Sequence, residues 1–130
     1  MRIEDAFASL CPGVPLYAVT PTTLPATAFA VLSQQTDASE RDLFRNERGH
    51  APQIRRVTVL LNVWAAEGAT PERLRPTVRP LRERLADIVT AYADLPPLSG
   101  VRRGAHNLEA ATPTLKRPMF WMRLELTYLE

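Results

Sequence analysis

Two separated segments of this chain alternate apolar and polar residues, and this pattern limits the fold more than any other feature of the sequence. Within residues 56–65 and within residues 119–130, an apolar side chain recurs at every second position. The recurring members are Val57, Val59, Leu61, Val63 and Ala65 in the first segment, and Phe120, Met122, Leu124, Leu126 and Tyr128 in the second. Since successive side chains of a β-strand point to opposite faces, the pattern predicts two strands, each with one buried side. The fold must therefore contain a β-sheet.

A stripe of apolar residues between these two segments predicts one long helix. Its members recur at spacings of three and four, and they are Leu74, Val78, Leu81, Leu85, Ile88, Val89 and Tyr92. Thr70 suits the N-cap and Pro71 the first helical position, where a missing N–H costs nothing. Because Pro76 and Pro80 each remove an internal hydrogen bond, we expect a short first turn, a kink, and a regular helix from about Pro80 to Ala93.

A short helix and an edge strand are expected near the start of the chain. Ile3, Phe7 and Leu10 are spaced to share one side of a helix over residues 2–10. Residues 14–20 suit a pleated surface, but a proline within them removes a backbone donor. This segment is therefore either an edge strand or an extended connector.

Two further strands complete the predicted fold. Residues 26–34 are apolar on both faces, which is typical of a strand inside a sheet, and residues 101–110 have the weaker pattern of a possible strand. The chain is thus predicted to be a single α+β domain, residues 1–130. We expect a mainly antiparallel sheet with the long kinked helix and the short N-terminal helix packed on one face.

Residues 36–53 are polar and highly charged, and they separate two predicted strands. Structureless connections of this length are uncommon in compact domains, because ordering them costs entropy that a few apolar groups cannot repay. We therefore interpret this segment as a long flexible loop that contacts a partner surface. Its candidate interface residues are Arg41, Leu43, Phe44, Arg45 and Arg48.

The composition excludes several classes of protein. A chain of 130 residues suits one domain. Lys and Arg number 16 against 14 for Asp and Glu, a balance well short of that of a dedicated nucleic-acid-binding protein. The single cysteine forms no internal disulfide, and no apolar run is long enough to cross a membrane. A reducing cytoplasm and no membrane partner are expected.

The sequence contains no recognisable motif for catalysis or cofactor binding. It lacks the glycine-rich phosphate and dinucleotide loops and the serine-hydrolase elbow. His50 and His106 have no second ligand at a metal-binding spacing, so both are interpreted as solvated loop residues. Cys11 has no neighbouring base and is interpreted as a small buried thiol at a helix end. We therefore predict no catalytic residue, no cofactor and no metal, in a protein that is not an enzyme.

Three arginines of the predicted helix form a candidate charged surface. Arg75, Arg79 and Arg82 fall on one side of the helix, away from its apolar stripe. One interpretation is a solvated face. The other is that these guanidinium groups contact phosphates, for example where DNA passes through a lumen.

A second candidate surface is the side of the sheet that faces away from the predicted core. Trp64, Trp121 and Arg123 fall on that side by the period of two, and Lys116 and Arg117 occupy a polar connection over residues 111–118. Aromatic and arginine side chains on an outer sheet face are typical of an oligomer or partner interface. Coverage of the tryptophans by loops of the same chain is an equally good interpretation.

The order of elements resembles that of the tail terminator proteins of long-tailed bacteriophages, the minor tail protein U type of lambda-like phages. The likeness rests on the N-terminal helix, the charged loop, the strand over residues 57–65, the proline-interrupted helix and the final strand with its Leu124-Glu125-Leu126-Thr127-Tyr128-Leu129-Glu130 ending. It covers nearly the full length, whereas the loop over residues 37–53 departs from the family in sequence.

The resemblance implies a structural virion protein, assembled in the host cytoplasm, that forms a ring. The ring, expected to be a homohexamer, would cap the tail tube, stop its polymerisation and join the tail to the head. The implied partners are the tail tube protein, the head–tail connector, and DNA in transient passage. Two alternatives stay open: a neck or tail-tube protein of the same structural class, and a small basic nucleic-acid-binding module.

Overall fold

The computed structural model describes residues 1–39, 54–98, 100–110 and 115–129 and contains two helices and five strands. In chain order the elements are α1 (Ile3–Leu10), β1 (Leu16–Tyr17), β2 (Phe29–Ser39), β3 (Ile54–Trp64), α2 (Pro71–Ile88), β4 (Val101–Glu109) and β5 (Met119–Leu129). The five strands form one sheet in the order β1-β2-β3-β5-β4. The predicted α+β class is confirmed.

The sheet is mixed rather than mainly antiparallel, which corrects the predicted sheet type. β2, β3, β5 and β4 pair antiparallel, but β1 pairs parallel to β2 through Leu16 with Ala30 and Tyr17 with Val31. The whole of residues 18–28 separates β1 from β2, so the chain has enough length to return and run in the same direction. The alternation pattern of the longer strands carries no information about this short pairing.

The central pair of strands places the two alternating segments side by side. β3 and β5 are in continuous antiparallel register from Ile54 opposite Leu129 to Trp64 opposite Met119. The predicted buried residues of both segments are buried, and one apolar cluster joins them to residues of both helices. From the helices this cluster takes Ile3, Ala6, Phe7, Leu74, Val78, Leu81 and Leu85. We call this side of the sheet the helix-covered face.

Helix α2 begins where the sequence predicts and ends earlier. Thr70 has the extended backbone of an N-cap residue and Pro71 is the first helical residue. Pro76 and Pro80 both lie inside the helix, which ends at Ile88 and not near Ala93. Val89 has already turned to extended backbone, so the apolar residues after Ile88 reach the core from a connection instead of from the helix.

Strand β2 corrects the boundary of the predicted loop. The strand begins at Phe29 and continues to Ser39, so residues 36–39, assigned to the loop by their polarity, pair with β3. An irregularity in register between Gln34 and Thr36 accommodates the change from apolar to polar sequence. Residues 40–53, with the candidates Arg41, Leu43, Phe44, Arg45 and Arg48, lie outside the described residues, and their role stays a prediction.

The opposite side of the sheet has a small apolar cluster of its own. Phe29, Val31 and Trp64 form its buried centre, and Tyr17, Leu24, Leu115 and Met119 pack against them. Connecting segments, and not helices, provide most of this cover, so we call it the loop-covered face. Within the described part of the chain, no helix is long and apolar enough to span a membrane.

Candidate assembly surfaces

Arg117, a candidate interface residue by its sequence, is buried within its own chain. Only 7 % of it is exposed, and its guanidinium donates a hydrogen bond of 2.7 Å to the carbonyl of Pro25. Its charged end also lies 5.7 Å from the centre of the Phe29 ring, within range of a cation–π contact. Arg117 therefore ties the connection before β5 to the connection before β2 across the loop-covered face.

Trp64 is likewise buried by its own chain. Its rings stack on Phe29 at 5.2 Å with an interplanar angle of 16°, and 9 % of the residue is exposed. The indole Nε1 is buried and donates to no acceptor among the described residues. Of the two interpretations that the sequence left open, coverage by loops of the same chain is the correct one for Trp64.

The other predicted residues of this side are more accessible. Trp121 is half-buried, while Lys116 and Arg123 are exposed. Arg123 lies against β4 at Gly104, where an added Cβ would come within 3.1 Å of its Nε. The absence of a side chain at Gly104 thus allows Arg123 to lie along the last strand of the sheet. Trp121, Arg123 and Lys116 remain candidates for a partner contact.

The three predicted helix arginines meet at one groove between α2 and β4. Arg75, Arg79 and Arg82 line a half-open cavity of about 830 Å³. The wall from β4 contains His106, Asn107 and Leu108, and the apolar floor contains Val78 and Phe120, with Pro76 and Pro80 on the helix side. We call this cavity the arginine groove. His106 is an exposed strand residue of its wall, which corrects its assignment to a loop.

The arginines of this groove have different local partners. Arg79 Nε lies 3.1 Å from Glu83 one helical turn away, and both side chains are largely exposed. The guanidinium of Arg103 on β4 donates to the carbonyl of Arg82, which fixes the strand against the helix. Three guanidinium groups against one neighbouring carboxylate leave the groove positive, so it favours an acidic ligand.

A tight turn with an exposed aspartate follows the end of α2. Tyr92 and Leu95 exchange two backbone hydrogen bonds of 3.2 and 3.0 Å, which closes a tight turn through Ala93 and Asp94. Ala91 pairs with Arg2 at the start of α1, and the Tyr92 hydroxyl is 3.2 Å from the Gln34 side chain on β2. We call residues 92–95 the Asp94 turn. It lies near β2, whereas the arginine groove lies along β4 at the opposite sheet edge.

In the part of the chain that the structure describes, both edges of the sheet lack a further strand along much of their length. β1 covers β2 only at Ala30 and Val31, so from Leu32 onward β2 has no described strand on its outer side. Among the described residues, no strand lies beyond β4 either. Unpaired strand edges attract other chains and are normally protected or used for assembly.

Cys11 has the environment of a structural thiol, as predicted. It caps the end of α1, is 3 % exposed, and its Sγ donates to the carbonyl of Thr77 at 3.1 Å. Burial raises the pKa of the Cys11 thiol to about 11. A protonated thiol is a poor nucleophile, so this environment does not favour cysteine chemistry. His50 lies outside the described residues, and the described ones hold no group of His, Cys, Asp or Glu suited to a metal.

Sequence reasoning found the helix side of the arginine groove but missed its other wall and the Asp94 turn. The helical period alone groups Arg75 with Arg79 and Arg82, whereas the position of His106 depends on the pairing of β4 with β5. The sequence signal for the turn is Asp94 followed, after one residue, by two prolines. No family model matches the chain, and a search of curated proteins finds no match.

Proposed function

We propose that this protein is a structural virion component that assembles as a ring, of the tail terminator type. The observation that carries the proposal is that the two edges of the sheet differ: within the described ranges, no strand lies beside β2 past Val31 or beyond β4. The resemblance of the element order to tail terminator proteins supports the same conclusion. In this role the ring caps the tail tube, stops its polymerisation and joins the tail to the head connector.

Unlike edges favour a ring over a simple dimer. A two-fold dimer pairs the same surface of both copies, whereas a contact between two different surfaces repeats from copy to copy until it closes. With β2 at one edge and β4 at the other, each subunit has one surface for each neighbour. Six copies, as in the family resembled, make the proposed ring.

In the proposed fold of the ring subunit, a kinked α2 packs together with α1 on one face of the sheet. Pro76 and Pro80 lie inside α2, and each lacks an amide hydrogen for the helix ladder. A kink at these positions is therefore part of the proposal. Contacts to the tail tube or to neighbouring subunits come from Lys116, Trp121, Arg123 and the charged segment over residues 40–53.

The purified protein provides the direct test. Light scattering and negative-stain images, with and without tail tubes, are expected to show closed rings, and added protein is expected to stop tube elongation. Rings that leave elongation unchanged would point to a neck or tail-tube protein. Monomers only, at every concentration and with tubes present, would refute ring assembly.

The arginine groove favours one candidate of another class, a small nucleic-acid-binding module. Arg75, Arg79 and Arg82 line one cavity, and their guanidinium groups suit contact with a phosphate backbone. This candidate predicts binding to duplex DNA that weakens steeply with salt and is lost when the three arginines are replaced. No binding at low salt would eliminate it.

A further inference from the structure

We infer that the Asp94 turn of one subunit docks into the arginine groove of the next subunit. This contact rests on the proposed ring and names the side chains that hold it together. The turn reaches β2 through the Tyr92 hydroxyl, whereas the groove lies between α2 and β4. Bringing the β2 side of one copy to the β4 edge of another therefore brings the turn to the groove.

The side chains of the Asp94 turn are presented to the outside. The Asp94 side chain is 96 % exposed, and its Oδ1 lies 3.8 Å from a guanidinium nitrogen of Arg2, a surface pairing that leaves the carboxylate accessible. Leu95 is 44 % exposed although it is a large apolar residue. An exposed carboxylate with an exposed leucine beside it complements a groove with arginines at its rim and apolar side chains along its wall.

The backbone of the turn is rigid, which lowers the entropy cost of docking. Pro96 and Pro97 fix φ after Leu95, and a residue before proline is held extended. The two hydrogen bonds between Tyr92 and Leu95 fix the other side. A segment with its shape set before contact loses less conformational freedom on binding.

Ala93 holds a backbone conformation that is costly for its residue type. Its φ is +51°, in the left-handed region that favours glycine. Such conformations persist where the surrounding structure maintains them, and they concentrate at binding sites. Here the conformation directs Asp94 outward from the tip of the turn.

The arginine groove provides a positive side chain for Asp94 and apolar side chains for Leu95. Arg79 is partly neutralised by Glu83, so Arg75 is the groove arginine best suited to pair with an incoming carboxylate. Val78 and Phe120 beneath the groove are almost fully buried, so the apolar surface available to Leu95 comes from Leu108, Pro76 and Pro80. An arginine–carboxylate pair at the rim and a leucine against these side chains make one polar and one apolar contact per junction.

A complementation experiment tests the contact with the full chain. Arg75→Glu disables the groove and leaves the turn intact, whereas Asp94→Lys combined with Leu95→Ser disables the turn and leaves the groove intact. Each variant alone is expected to raise the dissociation constant for self-association at least about tenfold and to sediment as a monomer. In an equimolar mixture the intact turn of the first variant meets the intact groove of the second, and the reversed charges at the other junction also attract each other, so self-association is expected to be restored.

Matched variants control for general charge effects. Arg84→Glu on α2 and Glu67→Lys before it change exposed residues that line neither surface, and both variants are expected to assemble like the wild type. Circular dichroism and unfolding curves verify that every variant is folded.

The possible results distinguish a failure of the proposed contact from a failure of the proposed ring. If the wild type forms rings and both disabled variants do so equally well, the contact is wrong and the ring stands. If the variants are folded monomers whose mixture stays monomeric, the contact is also wrong. A defect in tube binding with Arg75→Glu alone would assign the groove to an acidic segment of another protein. A wild type that never assembles refutes the ring and the contact together.

Discussion

The two faces of the sheet are buried by different means. On the helix-covered face, aliphatic side chains of α1 and α2 pack on alternate residues of β3 and β5. On the loop-covered face, Phe29, Val31 and Trp64 are closed over mainly by connections, and a single buried arginine ties those connections together. The comparison teaches that stability depends on filled volume on the first face and on a few directional contacts on the second.

The largest expected effect is a cavity on the helix-covered face. Leu61 is fully buried in β3, so Leu61→Ala is expected to lower the free energy of unfolding by about 3 kcal/mol. Denaturant unfolding measures the change. Leu60→Ala is the matched control, because Leu60 is its neighbour in β3, lies on the other face and is only half-buried. Its expected cost is about 1 kcal/mol, and equal losses would contradict the distinction between the faces.

The loop-covered face is tested by removing its buried cation. Arg117→Met keeps an apolar stem but loses the hydrogen bond to Pro25, which is expected to cost about 2 kcal/mol. Lys116→Met removes a neighbouring exposed charge and is expected to change stability by less than about 0.5 kcal/mol. Denaturant unfolding of both variants measures the two changes in unfolding free energy. A loss as small for Arg117 as for Lys116 would show that apolar packing alone closes this face.

Cys11 on the helix-covered face has an ionisable thiol whose titration reports on its burial. The pKa of the Cys11 thiol is raised from 9.0 to about 11, so the folded protein keeps a proton that the unfolded chain loses between these values. The resulting stability is present below pH 9 and is lost as the pH rises towards 11, by about 1 kcal/mol at pH 10. Cys11→Ala is expected to remove this part of the pH dependence. Parallel curves for both proteins between pH 9 and pH 11 would contradict the burial of the thiol.

The smallest expected effect concerns the indole of Trp64. Replacing Trp64 by Phe removes apolar area, but it also removes a buried N–H for which the described part of the chain supplies no acceptor. Because the two contributions oppose each other, the net change in unfolding free energy is expected to stay below about 1 kcal/mol. A loss above about 3 kcal/mol would mean that the indole N–H is satisfied in solution. Thermal unfolding of both proteins gives the comparison.

The sequence predicts the elements whose burial follows a regular period. β3, β5 and the start of α2 are confirmed because one buried face imposes alternation on strands and a three- and four-residue spacing on a helix. α1 agrees for the same reason, and the element order agrees throughout. These patterns are local, and each can be seen within a single segment.

Features that depend on distant contacts could not be predicted. Residues 36–39 are polar and belong to a strand only because β3 pairs with them. Arg117 is typical of a surface residue, and its burial depends on a carbonyl at Pro25 far away in the chain. The arginine groove needs the position of β4 against α2, which no helical period contains.

The arrangement of the central strands has a kinetic consequence. β3 and β5 are neighbours in the sheet, yet their pairing joins residues as remote as Ile54 and Leu129. The hairpin of β2 and β3 has no stable inner face until β5 arrives, and closing so long a stretch of chain costs entropy before any contact rewards it. The high contact order places this domain among the slower folders of its size, with aggregation of half-formed sheets as the main competing reaction during refolding.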